Sequence, residues 1–125
     1  MSRVLRLCAV LVVALLVATG CGGGDDSSSE ATTKKDTGGG IVIDVTFKGD
    51  TVTPQGASIK VKAGKPIKLH IVADKPGELH VHSSPEHEIE YPAGTTDKTI
   101  TIDQPGVVEM ESHTLDKLVA QLEVR

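Results

Sequence analysis

The C-terminal part of the sequence predicts an all-β domain of the sandwich or barrel type. Apolar and polar residues alternate with a period of two in successive short runs, as they do in strands that bury one face. Glycine, proline and aspartate interrupt these runs about every 8 to 12 residues, which is the turn spacing of antiparallel sandwiches. Phe47 and Tyr91 are the only aromatic residues in the chain. The core must therefore consist mainly of Val, Ile and Leu.

The alternating runs are predicted to be strands. In chain order they cover residues 41–47, 59–61, 67–71, 79–81, 99–102, 108–110 and 118–124. Turn sequences separate them at 49–50, 54–56, 63–66, 75–77, 92–94 and 104–106. Only residues 114–118 have a sequence that could form a helical turn. The pattern predicts about seven or eight strands in one domain, at residues 41–125.

The first twenty residues have the features of a bacterial export signal. Arg3 and Arg6 precede an apolar run at 7–18, and small residues follow it. The run is shorter than the roughly 20 apolar residues that a membrane-spanning helix needs. Residues 1–20 are therefore predicted to be a signal peptide.

The end of this signal resembles the lipobox of bacterial lipoproteins. The segment 17–21 reads Val-Ala-Thr-Gly-Cys and ends at Cys21. The resemblance implies that Cys21 becomes the mature N-terminus and carries a diacylglycerol thioether, usually with a third acyl chain such as palmitate. Two acyl chains give stable attachment, so we expect the protein on the extracytoplasmic face of the cell membrane. The alternative is a soluble secreted protein that is cut nearby.

Residues 21–40 are mostly Gly, Ser, Thr, Asp and Lys, and are predicted to be a disordered linker. The chain has 13 Lys and Arg residues, and loss of Arg3 and Arg6 with the signal leaves 11 against 17 Asp and Glu. The acidic balance disfavours a nucleic-acid partner. Because Cys8 is removed and Cys21 is acylated, the mature domain is expected to have no thiolate ligand and no disulfide.

From residue 52 onward the order of strands and turns resembles that of a cupredoxin. The first half of the likeness is Val52-x-Pro54, then the segment 59–69 with its Gly-x-Pro turn, then a strand that ends in His80. The second half is the pair of segments 103–110 and 122–125, where a Pro-Gly turn leads into a strand, a ligand loop and the final strand. The likeness is to small cupredoxin-like domains of actinobacterial lipoproteins, including domains related to those of iron-uptake proteins. It implies a Greek-key β-sandwich.

The sequence departs from the cupredoxin pattern at the copper ligands. A blue copper site uses two His, one Cys thiolate and a weak axial Met. His80 matches the first His position, but Ser112 falls at about the Cys position and Met110 precedes this point instead of following it. The resemblance therefore implies the fold without a type 1 blue copper centre, and neither blue colour nor electron transfer is expected.

The five histidines provide the candidate ligands. His80 and His82 are two residues apart on a predicted strand, about 6–7 Å apart along the chain, so both rings project from one face. Paired imidazoles among acidic residues suit Cu(II) or Zn(II). His113, in the expected ligand loop, and His87, in the predicted loop at 83–90, could complete the set. His70 is interpreted as an exposed strand residue.

Other functions stay open at this point. His80 and His82 could instead be solvated, or held in a structural network with Glu or carbonyl oxygens. The domain would then be a metal-free interaction or accessory module for a protein of the cell envelope. No nucleophile elbow or phosphate-binding loop occurs in the sequence, so no enzyme activity is predicted. The protein is expected to be a monomer.

Overall fold

The computed structural model describes residues 33–125, which form ten β-strands. The predicted signal peptide, Cys21 and the first part of the predicted linker lie outside the described residues. No helix in the described part is long and apolar enough to cross a membrane. In chain order the strands are β1 Thr33–Lys35, β2 Ile41–Lys48, β3 Thr51–Thr53, β4 Ala57–Val61, β5 Pro66–Ala73, β6 Gly77–Val81, β7 His87–Tyr91, β8 Gly94–Thr101, β9 Gly106–Ser112 and β10 Lys117–Val124.

The strands form two sheets, which confirms the predicted all-β sandwich. The first sheet has the order β1-β2-β5-β8, with β3 paired to β2, and the second has the order β4-β10-β9-β6-β7. The pairs β2–β5 and β4–β10 are parallel, so the chain crosses between sheets. The count is ten strands instead of seven or eight, because the prediction missed the three short strands β1, β3 and β7.

Strand β1 corrects the predicted boundary of the linker. Residues 21–40 were expected to be disordered, yet Thr33–Lys35 pairs antiparallel with the start of β2. Lys34 forms an ion pair with Asp44 at 3.3 Å, and the Asp36 N–H donates to the Gly40 carbonyl at 3.1 Å to close the turn. These residues are ordered by backbone hydrogen bonds, which a composition poor in apolar residues does not reveal.

The core lies between the two sheets, as the alternation predicts. Ile43 and Val45 of β2 face Leu79 and Val81 of the other sheet's strand β6 in one buried cluster of aliphatic side chains. The two aromatic rings meet there as well, because Phe47 and Tyr91 stack with their centroids 4.8 Å apart. Burial raises the pKa of the Tyr91 phenol, while a hydrogen bond with Ser112 acts in the opposite direction.

Gly77, the first residue of β6, is packed too closely to carry a side chain. A Cβ atom at this position would lie 2.5 Å from the Tyr91 hydroxyl oxygen and 2.9 Å from Thr114 Oγ1. We expect Gly77→Ala to lower the free energy of unfolding by about 1–3 kcal/mol, the usual cost of overpacking, as measured by urea denaturation. Gly38→Ala is the matched control, since a Cβ there meets nothing within 4 Å. Equal stability of the two variants would contradict this packing.

Candidate metal centre

Strand β6 places two histidines side by side on the outer face of the second sheet. His80 pairs in register with Glu111 of β9, while its neighbours Leu79 and Val81 point into the core. His82 lies one residue beyond β6, and its N–H donates to the Glu109 carbonyl at 2.9 Å. This hydrogen bond prolongs the ladder and keeps both rings on one face, with their centroids 4.2 Å apart. The alternation in the sequence predicts this arrangement.

His113 joins them from the turn that connects β9 with β10. Two hydroxyl groups hold this turn: Thr114 Oγ1 accepts from the Glu78 N–H at 3.1 Å, and Ser112 Oγ accepts from the Leu115 N–H at 3.3 Å. The first contact ties the turn to β6. As a result His113 Nε2 lies 3.0 Å from His80 Nδ1.

The three imidazoles are close enough to share one ion. One ring nitrogen from each of His80, His82 and His113 lies within 4.8 Å of the other two. Three points with that maximum separation lie within about 2.8 Å of a common centre, against about 2.0–2.1 Å for a Zn–N bond. Small rotations of the rings would close the difference. The histidine cluster, as we call these three residues, therefore fits a metal with nitrogen ligands.

Each ring of the histidine cluster also contacts a carboxylate. His80 Nε2 lies 3.2 Å from Glu86 Oε2, and His82 Nε2 lies 3.0 Å from Glu111 Oε2. His113 Nδ1 lies 2.9 Å from Glu78 Oε1. Metal-binding histidines commonly donate their second N–H to a carboxylate, which orients the ring. The same contacts would equally serve a structural network without a metal.

Two ring nitrogens in this network face each other and could share a cation. An ionised carboxylate only accepts hydrogen bonds, so the nitrogens facing Glu86 and Glu78 carry the N–H groups. In neutral rings, the nitrogens that face each other, Nδ1 of His80 and Nε2 of His113, then both present lone pairs at 3.0 Å. Two lone pairs at this distance repel each other unless a proton or a metal ion lies between them. A proton or a metal ion between these two nitrogens would satisfy both lone pairs.

Exposure differs sharply within the cluster. His80 is only 7% exposed although it lies on the outer face of the sheet, because His82, His113 and Glu86 cover it. The side chains of His82 and His113 are 38% and 50% exposed. One ligand would thus be fixed by packing, and the solvent side of the cluster stays open to an incoming ion.

His87 is not part of the cluster. The prediction that it lies in a loop was wrong, because it is the first residue of β7 and pairs with Val81. Directly paired residues share a face of the sheet, so its ring is on the side of the core, opposite to His80. Its Nε2 is buried without a hydrogen-bond partner among the described residues.

His70 lies on the other sheet and does not approach the cluster. Its Nδ1 contacts Asp97 Oδ1 across β5 and β8 at 2.8 Å. This hydrogen bond, and secondarily the charge of Lys68, lowers the pKa of Asp97. The prediction that His70 is a strand residue with a surface role agrees with this position.

Ser112 does not face the histidine cluster. It occupies the approximate position of the cupredoxin Cys, but it pairs with Leu79 and is completely buried on the core side. Met110 is also fully buried in the core. The cluster therefore lies on the opposite face of the sheet from Ser112, at the approximate Cys position, and from Met110.

The three carboxylates that contact the rings have no role predicted from the sequence. In the sequence, Glu78 and Glu86 are only two of several acidic residues near the histidine pair. Glu111 could have been found from the alternation in β9, because Val108 and Met110 are buried and the intervening glutamates must face outward.

Comparisons with known proteins identify the fold. No protein-family model matches the chain, and no curated protein matches it either. A reduced mutant of amicyanin superposes with a TM-score of 0.51 at 12% identity, over 72% of this chain and 85% of that one. A laccase from Pediococcus acidilactici gives 0.54 at 18% identity, over 75% of this chain but only 28% of the laccase.

A chain from the structure of a heme-copper terminal oxidase dimer superposes with a TM-score of 0.51 at 14% identity, over 82% of this chain and 76% of that chain. These likenesses confirm the cupredoxin-like fold. At such low identities they show the fold alone. Any metal-binding function must therefore be argued from the histidine cluster itself.

The opposite orientations of residues 111 and 112 can be tested with cysteine. We expect Ser112→Cys to give no intense thiolate-to-copper absorption with Cu(II), because its sulfur would point into the core. Glu111→Cys is the matched variant, since it places sulfur beside His80 and His82 on the outer face, and we expect it to give such absorption. The reverse result in visible spectroscopy would contradict the faces assigned to β9.

Proposed function

We propose that the protein is a membrane-anchored, extracytoplasmic lipoprotein whose cupredoxin-like domain binds one Cu(II) or Zn(II) ion. His80, His82 and His113 are the proposed ligands, and Cys21 is the proposed site of lipidation. The proposed role is binding for storage, delivery or sensing of the metal, by a monomer and without catalysis.

One observation carries this proposal. The facing nitrogens of His80 and His113 lie 3.0 Å apart while the other nitrogen of each ring contacts a carboxylate. A cation at the centre removes the lone-pair repulsion, and three carboxylates around the rings favour positive charge. Imidazole suits both Cu(II) and Zn(II), and three protein ligands leave a fourth position for water or for a donor group of another protein.

A metal-free role has its own support. Every ring of the cluster already has a hydrogen-bonding partner, and a proton shared between His80 and His113 would also satisfy the network. The domain would then act as an interaction module for another envelope protein. Metal titration distinguishes the two functions.

The metal function is tested by calorimetry with Cu(II) and Zn(II). The chain from Gly22 onward is suitable, because residues 33–125 contain both sheets and the whole described core. We expect one equivalent of metal, and loss of binding in the double variant His80→Ala, His82→Ala. His87→Ala is the control and should bind normally. Because imidazole must be neutral to bind a metal, affinity should fall below about pH 6.

The carboxylates provide a finer test in the same titration. Glu78→Gln should weaken binding by about 10–100-fold, the usual effect of losing a group that orients a ligand. Glu90→Gln, at the position paired with Glu78 in β7, should leave affinity unchanged. Absence of any heat, together with no electron-spin signal from bound Cu(II), would reject metal binding and leave the interaction module.

The anchor is tested separately in a bacterial host. We expect the intact chain to incorporate labelled palmitate and to fractionate with membranes. Cys21→Ala should abolish both, because no other cysteine remains to carry the thioether once the signal is removed. Membrane fractionation that is unchanged in Cys21→Ala would contradict lipidation at this residue.

A further inference from the structure

The two ends of the sandwich carry opposite charge. The histidine cluster and its carboxylates lie at the end where β9 finishes, next to the turn at 113–116. The other end contains the start of β9, the end of β4 and the turn between β1 and β2. Strand β9 has seven residues, so about 20 Å separates the two ends.

Lysines surround a cleft at the second end. The cleft has a volume of about 200 Å³ and opens between β4, at the edge of one sheet, and the β1–β2 edge of the other. Its floor includes Ile41 and Pro66, and no acidic residue lines it. The lysines at its rim are Lys35, Lys60, Lys62 and Lys65.

Within the described part of the chain these lysines form no close ion pair, although the carboxylates of Glu123 and Asp103 lie near the rim. Among residues 33–125, none of the four lysines at the rim forms an ion pair, whereas Lys34 and Lys68 do. Glu123 pairs in register with Lys60, but its carboxylate is already bound by Ser58 at 2.6 Å and by Arg125. Four lysines around one cleft, without a close ion pair in the described domain of an acidic protein, indicate a binding surface for an anion.

We propose that this lysine cleft docks on the phosphate groups of anionic phospholipids in the membrane that carries the protein. The inference depends on the lipid anchor of the proposed function and not on its metal. It assigns the lysine end to the membrane and the histidine cluster to the opposite side, about 20 Å further out.

The position of the anchor supports this occupant. Eleven residues separate Cys21 from Thr33, so these two residues are at most about 40 Å apart. Lys35 at the rim follows two residues after the described chain begins. The tether therefore allows the cleft to reach the bilayer surface, where lysines within a Debye length of about 8–10 Å are attracted to anionic headgroups. The glutamates of the other end are repelled by the same surface, so both ends favour one orientation.

The test measures sedimentation of the unacylated chain from Gly22 with lipid vesicles. We expect binding to vesicles that contain phosphatidylglycerol, none to pure phosphatidylcholine, and loss of binding at high salt. The variant Lys35→Gln, Lys62→Gln, Lys65→Gln should reduce the partition coefficient by about tenfold or more. Lys48→Gln, Lys75→Gln, Lys98→Gln has the same net charge with the changes away from the cleft, and should bind like the parent.

Several results would overturn the proposal. One is absence of binding to anionic vesicles at low salt, and another is an equal loss of vesicle binding in both triple variants. The third is complete inhibition of vesicle binding by millimolar inorganic phosphate, which would indicate a site for a small anion instead. Because the experiment uses no acyl chain and no metal, its failure is distinct from failure of lipidation at Cys21 or of metal binding by the histidine cluster. The triple variants should also keep the metal affinity of the parent.

Discussion

The antiparallel pairing of β6 with β9 is the contact on which both the core and the histidine cluster depend. In this register Leu79 and Val81 lie beside Ser112 and Met110 in the interior, and His80 lies beside Glu111 outside. Because side chains alternate along a strand, a shift of one residue would exchange the two faces. It would bury the imidazoles and expose the aliphatic side chains. The cost of exposing that apolar surface therefore also fixes the position of the ligands.

Electrostatics then determines what the outer face can bind. His80 is almost completely buried, and a buried polar ring is stable only when its nitrogens have partners. Glu86 provides one partner and His113 provides the other, and a proton or a metal ion between the two rings would satisfy both facing nitrogens. The carboxylates favour that positive charge and orient the rings. A cluster with one buried and two partly exposed ligands combines a fixed position with access from solvent.

The cupredoxin-like fold does not by itself create the candidate metal site. The sandwich is similar to those of amicyanin and of a laccase, yet the cluster lies on the outer face of one sheet while Ser112 points into the core. A fold alone does not define a function, and here the side chains of β6, the 113–116 turn and the β6–β7 loop create the site. The lysine cleft arises at the other end from different strands, so the two surfaces are built on independent parts of the same scaffold.

The sequence by itself determined the fold class, the main strands, the face on which most of their residues lie, and the position of His80 and His82 on one face. These are local properties, since the period of two assigns faces without knowledge of the partner strand. In β10 a register shift between Leu118 and Ala120 breaks the predicted alternation and buries Val119. The sequence pattern missed β7 and also β1 and β3, which have only three residues each and therefore too few apolar positions to stand out; β1 is held by backbone hydrogen bonds.

Only the tertiary structure decided that His113 joins the pair and that His87 does not. His113 is 33 residues from His80, and the two meet because the chain crosses between sheets and returns β9 beside β6. His87 is excluded because it pairs with Val81, which faces the core. Both outcomes depend on strand order and register, which arise from the packing of the whole sandwich and not from any local pattern of residues.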